Sequence, residues 1–415
     1  MSTKLPQPRA YVAEFEKLGF GLFVHYGLYS QKGVGEWTMH LHKTPTAEYE
    51  QLTKTFAPAK DWATQLVATA KRAGCRYVTI TTRHHDGFSL YDTCGLNDYD
   101  APHVLQGRDL VKEFVDACKA EGIKPFFYHT LLDWREESYQ TDFKKYLVYL
   151  RSSVELLCKN YGDIGGVWFD GMWDKPNEDW EEDVLYGMIR KNQPNAMIIN
   201  NTGLNALGAL GHIELDSVTF ERGKPMAVNT ETAPRYVASE MCQTLNTHWG
   251  YTKKDFRYSS LTNLIEDWCT CRRYGCNFLL NVGPKGDGSL RDLDKALLTE
   301  LGNWASMYKD VLYTAKPCDV QVKNKEKDFV LRGEDGYYLF CYDLPMSADP
   351  NVERITSNAY VDICTFQDKV KEITWLDAPQ TQLSFQQADG ETTIYTQPFA
   401  YGCNLVVRVA LIKTK

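Results

Sequence analysis

The sequence predicts an α/β protein: a (β/α)8-like TIM barrel over residues 1–312, followed by an antiparallel β-sandwich over residues 313–415. Short apolar, β-rich runs alternate with longer amphipathic stretches as far as residue 312, the pattern of repeated β-α units around a parallel sheet. Eight such runs occur, which fits a closed barrel. After Tyr313 the apolar residues change to a period of two, the mark of strands with one buried face.

Taken in order, the barrel strands are expected at Gly19–Tyr26, Tyr77–Thr82, Lys124–Thr130, Gly165–Asp170, Met197–Asn201, Ser217–Glu221, Tyr236–Met241 and Asn277–Val282. The seventh is the least apolar. Helices are expected at Thr46–Ala73, Asp109–Glu121, Gln140–Tyr161, Trp180–Asn192, Leu261–Tyr274 and Asp292–Tyr308. Gly74, Gly122 and Gly275 directly follow three of them, where a left-handed residue caps a helix. The sandwich strands are expected at Asp328–Arg332, Tyr337–Asp343, Val361–Phe366, Val370–Leu376, Thr392–Thr396 and Asn404–Ile412. Turn chemistry at Gly333-Glu-Asp-Gly336 and Ala388-Asp-Gly390 separates them.

Composition narrows the function. A formal charge of -8 with no Lys/Arg stripe disfavours nucleic acid. No apolar stretch reaches the roughly 20 residues that cross a bilayer, so no membrane partner is expected. The start from Met1 to Arg9 is polar and has no apolar h-region, so no secretory signal is expected. Twelve cysteines are scattered through apolar runs, as expected for reduced thiols, and a cytoplasmic location follows. Cys269, Cys271 and Cys276 form the one cluster, but the spacing is not that of a zinc site. Neither a metal nor another cofactor is expected. The sequence leaves a homo-oligomer open.

In a parallel barrel the active site lies at the C-terminal ends of the strands. Here the expected strands end in, lead into or contain His25, Arg83-His84-His85-Asp86, Tyr128-His129, Asp170, Asn200-Asn201, Glu221, Glu240 and Asn281. Singly, each is more often a satisfied core residue. Together they place carboxylates, imidazoles and aromatics on one face, which suits the hydroxyls and C–H surfaces of a sugar. Asp170 stands out, because Val167-Trp-Phe-Asp170-Gly-Met-Trp173 sets a carboxylate among large aromatics at a strand end. Such a group costs several kcal/mol to bury unless hydrogen-bonded. A metal site at His84-His85 is disfavoured because adjacent residues of an extended chain point apart. Asn281-Val-Gly-Pro-Lys-Gly-Asp-Gly288 lacks the frame of a phosphate loop.

These motifs resemble the α-L-fucosidases of glycoside hydrolase family 29. The likeness is carried by Phe20-Gly-Leu-Phe-Val-His25-Tyr-Gly-Leu-Tyr-Ser30, Gly35-Glu-Trp37, Ala73-Gly-Cys-Arg-Tyr-Val78, Arg83-His-His-Asp-Gly-Phe88, Trp168-Phe-Asp170-Gly171 and Asn277–Gly288, in the family's order. It implies a somewhat irregular barrel and metal-independent hydrolysis of an α-L-fucosyl bond with retention; the expected cytoplasmic location, rather than the likeness, points to small fucosylated oligosaccharides as substrates. By the same likeness Asp170 stands at the nucleophile position, and His25, Trp37, His84, His85, Tyr128 and Trp168 stand where the family holds the sugar.

Retention requires a second carboxyl group as acid/base. Glu221, at the end of the sixth strand, is favoured for it, and Glu240 in Ser239-Glu-Met-Cys is the rival. Several members follow the fifth strand with Asn-Asp-Arg, whereas this chain has Asn200-Asn201-Thr202-Gly203. Asn200 is taken as a sugar contact that replaces part of that hydrogen bonding without its charge. The competing function is a carbohydrate-binding protein on the same barrel, which would keep the aromatics and lose a carboxylate; here both are present.

Overall fold

Residues buried on both faces make the barrel strands short and apolar. In the computed structural model, which describes residues 6–202, 204, 206–229, 235–347 and 360–415, eight parallel strands close in chain order. They are β1 (Phe20–Val24), β2 (Tyr77–Arg83), β3 (Lys124–Thr130), β4 (Gly166–Asp170), β5 (Met197–Asn200), β6 (Ser217–Glu221), β7 (Ala238–Thr244) and β8 (Asn277–Val282). β8 pairs with β1 from Phe20↔Phe278 to Val24↔Val282. The weakest seam lies between β5 and β6, which share the single register pair Ile199↔Ser217.

The barrel floor is aromatic. Phe15, Phe23, Tyr77, Phe126, Tyr128 and Trp168 form one buried cluster with Met197, Ile199, Cys242 and Leu279. Gly21 makes room for it, since a Cβ at that position would lie 2.4 Å from the Tyr77 ring.

The helices follow from local chemistry. Leu110–Glu121 begins with Asp109 accepting the Lys112 amide at 2.8 Å and ends at Gly122 with φ 69°. The continuous helix expected over Thr46–Ala73 is divided instead into Thr46–Tyr49, the 3-10 turn Glu50–Thr55 and Trp62–Arg72. Pro58 sits in the gap, where it lacks an N–H for a helical bond. The seventh strand runs Ala238–Thr244 rather than Tyr236–Met241, extending into polar Gln243 and Thr244.

Packing divides the chain into one unit of residues 1–259 and 276–299 and a second of 260–275 and 300–415. The change of periodicity near residue 313 marks where strands begin, whereas the second unit also takes in the helix Leu261–Arg273. Within this unit Arg272 donates to the Ala315 carbonyl and Trp304 to the Leu405 carbonyl. Its strands are β9 (Lys316–Pro317), β10 (Phe329–Arg332), β11 (Tyr337–Tyr342), β12 (Val361–Thr365), β13 (Val370–Trp375), β14 (Phe385–Ala388), β15 (Glu391–Tyr395) and β16 (Val407–Thr414). They form antiparallel sheets ordered β13-β16-β11-β10-β9 and β12-β15-β14 around a core containing Leu339, Ile373, Trp375, Ile394 and Ile412. β9 and β14 are too short and too polar to read in advance.

Candidate active site

Alternation along each strand turns every second side chain into the barrel, and the C-terminal layer of these side chains lines one cavity of about 130 Å³. β1 and the segment after it contribute Phe23, His25, Glu36 and Trp37. The β2 end gives His84, β3 Tyr128, and β4 Trp168, Asp170 and, just beyond, Trp173. Asn201, Glu221, Cys242 and Trp249 complete the far side with Leu204.

Asp170 is the centre of the cluster. Its Oδ2 accepts the Tyr128 hydroxyl at 3.2 Å, and its Oδ1 accepts Trp173 Nε1–H at 3.3 Å and Asn201 Nδ2–H at 3.4 Å. Burial pushes its pKa up, and these three donors oppose that shift. Gly171 follows with φ 99°, a turn only glycine makes without strain, and releases the chain from β4 directly after the carboxylate.

Glu221 lies across the cavity. Asn201 Nδ2 donates to Glu221 Oε2 at 2.7 Å and also reaches Asp170 Oδ1. Because one nitrogen makes both contacts, the two carboxylate oxygens stand no further apart than the sum of 2.7 and 3.4 Å. The Asn201 orientation is fixed by Thr219, whose hydroxyl donates to Asn201 Oδ1 at 3.0 Å. Burial and then the charge of Asp170 hold the Glu221 carboxyl above its ordinary pKa, against Asn201 and Arg222.

The histidines are neutral acceptors. Asn281 Nδ2 donates to the Trp249 carbonyl, so its Oδ1 accepts His25 Nδ1–H at 2.6 Å. Burial depresses the His25 pKa to about 3, and Nε2 keeps its lone pair. The Thr130 hydroxyl gives its proton to the Leu132 carbonyl and so accepts His85 Nδ1–H at 2.7 Å. His85, likewise depressed to about 3 by burial, presents a bare Nε2 3.6 Å from Asp170 Oδ2. The two are therefore not an ion pair, and a sugar hydroxyl is the donor that suits the space between such acceptors. His84 lies parallel to Tyr128, with centroids 5.6 Å apart.

Trp37 stacks on Trp173 at 5.7 Å and meets His85 and Trp134 edge-on. Among the described residues, no group of three metal-type ligands includes His84 or His85.

Two sequence expectations are corrected. Asn200 does not face the cavity: it ends β5 with its side chain turned outward, and Nδ2 donates to the Tyr186 hydroxyl at 3.0 Å. The inward residue is its neighbour Asn201. Glu240 faces inward but one layer too deep, because it pairs with Thr219 while Glu221 pairs with Cys242. Its carboxylate accepts Tyr77 and Trp168 rather than lining the cavity, so it does not reach a leaving group there.

Glu36 is the carboxylate that sequence reasoning passed over. It is buried in the cavity wall, accepts the Gly250 amide at 2.7 Å, and is raised above its ordinary pKa by burial. Its signal was the glutamate between Gly35 and Trp37. Trp173 and Trp249 were visible only as neighbours of other motifs. Gly203, from the segment after β5, lies outside the described residues. A cation nonetheless stands near: Arg222 lies over the Trp249 ring at 5.0 Å and donates to the Thr247 carbonyl.

Comparison with known proteins identifies the family and the fold. The α-L-fucosidase family model matches residues 2–310. The tissue α-L-fucosidase of Bos taurus is 28% identical over 361 residues, covering 80% of this chain and 75% of that protein. That of Homo sapiens is 26% identical over 370 residues, covering 80% and 75%. The structure of α-L-fucosidase isoenzyme 1 from Paenibacillus thiaminolyticus superposes with a TM-score of 0.82 at 27% identity, covering 98% of this chain and 99% of that one. A covalent-intermediate structure of a family 29 enzyme from Bacteroides thetaiotaomicron shares the fold with a TM-score of 0.82 at 22% identity, covering 99% and 98%. A sugar-sized cavity holding two close carboxylates, on a chain matched by the family model across its barrel, places this protein in the α-L-fucosidases of glycoside hydrolase family 29.

Proposed function

We propose that this chain is a retaining, exo-acting α-L-fucosidase that releases terminal α-L-fucosyl residues from small glycans such as fucosyl-N-acetylglucosamine. The observation that carries the reading is the shared Asn201 amide. It holds Asp170 Oδ1 and Glu221 Oε2 within the sum of 2.7 and 3.4 Å, which suits the roughly 5–5.5 Å spacing of retaining enzymes better than the roughly 6.5–9.5 Å of inverting ones, where a water must fit between the groups. The covalent fucosyl-type intermediate of the Bacteroides relative supports the same chemistry.

Asp170 attacks C1 while Glu221, whose proton is held more firmly because of burial and the Asp170 charge, gives that proton to the glycosidic oxygen. The leaving alcohol departs and a fucosyl ester on Asp170 remains. Glu221, now ionised, removes a proton from water, whose oxygen attacks C1 and frees Asp170. Tyr128, Trp173 and Asn201 stabilise the Asp170 carboxylate before attack and after release. His25 and His85 accept sugar hydroxyls, and the stacked indoles take the apolar face. A cavity of about 130 Å³ is smaller than the roughly 300–1,000 Å³ of drug-sized pockets and suits one terminal sugar. Free thiols throughout the chain support a reducing compartment, where small glycans are the accessible substrates.

The test is hydrolysis of an aryl α-L-fucoside and fucosyl-N-acetylglucosamine, followed by NMR of the first-formed anomer. Retention is expected, with Asp170→Gly inactive and rescued by azide. Glu221→Ala should lose about 10²–10⁴-fold on the disaccharide and less on the aryl substrate. Inversion, or full activity in Glu221→Ala, would overturn the assignment.

A further inference from the structure

Glu240 is a buried carboxyl group that the reaction does not use. It lies inside the barrel on β7, 1% exposed, beneath the cavity. Its two oxygens each have one donor: Tyr77 Oη–H reaches Oε2 at 2.6 Å from β2, and Trp168 Nε1–H reaches Oε1 at 2.9 Å from β4. The neighbours in register are Thr219 on β6 and Asn277 on β8. Thr219 is engaged by Asn201 and Asn277 by the Phe15 carbonyl. Cys242, whose thiol is pushed up by burial and by Glu221, Glu240 and Asp170, adds no positive charge. No charged partner among the described residues offsets Glu240, and burial raises its carboxyl to about 7.

A buried, uncompensated acid is costly, so what it holds matters. An indole N–H only donates, which makes Glu240 the acceptor that sets the rotation of the Trp168 ring. That ring lines the cavity, stacks on Tyr128 at 5.7 Å and 19°, and meets Phe23 edge-on at 5.1 Å. Tyr128 in turn donates to Asp170.

We propose that Glu240 is a positioning residue for the fucosidase reaction: from below the cavity its carboxylate fixes the indole of Trp168, and with it the aromatic surface that receives the sugar. The proposal rests on the assignment of the cavity as the fucose site. The ionised form holds the indole and Tyr77 together by charge-assisted bonds. Once protonated, Glu240 carries its O–H on the Tyr77 side, because the indole N–H cannot accept, and its bond to Trp168 falls from charge-assisted to neutral.

The experiment combines kinetics on an aryl α-L-fucoside with calorimetric binding of fucose, for Glu240→Gln, Trp168→Phe and the double variant. Glu240→Gln should raise KM and weaken fucose binding roughly 5- to 10-fold, the difference between a charge-assisted and a neutral hydrogen bond, with a smaller change in kcat. In the Trp168→Phe background the same substitution should add less than about twofold, because coupled residues are not additive. Wild-type KM should worsen as pH falls through about 7, and Glu240→Gln should remove that break. Tyr77→Phe should move the break to higher pH, since it withdraws a donor that lowers the Glu240 pKa, and this holds the proposal open to test if the Gln variant fails to fold. Additive effects, an unchanged KM in Glu240→Gln, or azide rescue of its kcat would overturn the proposal. Normal fucose binding by Trp168→Phe would overturn the cavity assignment itself, a separate outcome from weakened binding in Trp168→Phe alone.

Discussion

Asn201 acts on both carboxylates at once, and so sets two ionisations together. Its amide lowers the pKa of Asp170 and of Glu221, each otherwise raised by burial. The nucleophile must be ionised and the acid protonated, so Asp170 governs the acid limb of kcat/KM and Glu221 the alkaline limb. In Asn201→Ala both limbs should move to higher pH, and the maximum should fall about 10- to 100-fold, the loss of a hydrogen bond to charge. A pH–rate profile with unmoved limbs would refute this role.

Which asparagine does the work was legible in principle: if Asp170 faces inward, a register of Phe169 with Asn200 turns Asn200 outward and leaves Asn201 for the cavity. Glu240 was harder. Period-two alternation gives the direction of a side chain but not its depth, and depth follows from the stagger of β6 against β7. Glu36 was harder still, because it arrives on a loop whose path no periodicity encodes.

At the scale of elements, the close approach of β1 to β2 depends on Gly21. A Cβ there meets the Tyr77 ring, and Tyr77 is fixed by its bond to Glu240. Gly21→Ala should therefore destabilise the fold by about 1–3 kcal/mol, the usual cost of overpacking a core, seen as a lower urea midpoint. Retention of the wild-type midpoint would mean that the ring has room to move. Strands β1 to β6 and β8 could be read in advance because burial on both faces demands continuous apolar runs. β7 could not be bounded so well, since its inward positions carry Glu240 and Cys242 and its end is polar. The divided helix near Pro58 shows the converse: amphipathic spacing survives a break that one imino acid imposes.

For the whole molecule, the second unit has its own response to pH. Lys325 Nζ lies 3.4 Å from Asp328 and 3.2 Å from Asp362, both almost fully buried. One ammonium faces two carboxyl groups. Burial and Asp362 raise the Asp328 pKa far above its ordinary 3.8. The folded protein then keeps a proton that the unfolded chain has already lost, so this site stabilises most at low pH and its contribution falls as pH rises. Calorimetry from about pH 5 to pH 9 should show Asp328→Asn flattening that decline and unfolding at higher temperature than wild type at the alkaline end. Parallel curves for the two proteins would exclude the pair as its source. Lys325 and Asp328 are three residues apart, but nothing in the sequence announces Asp362, which the isolated antiparallel bridge Val322↔Cys364 brings beside them.

The single register pair between β5 and β6 has a bearing on all of this. A ring held by one weak link behaves mechanically as a hoop with a clasp, and the clasp lies between the strand of the nucleophile and the strand of the acid/base. A parting of that seam would change the gap between Asp170 and Glu221, which stand on strands either side of it. Asn201, rooted beside the clasp and bonded to both carboxylates, is the strut that holds the gap at its working width.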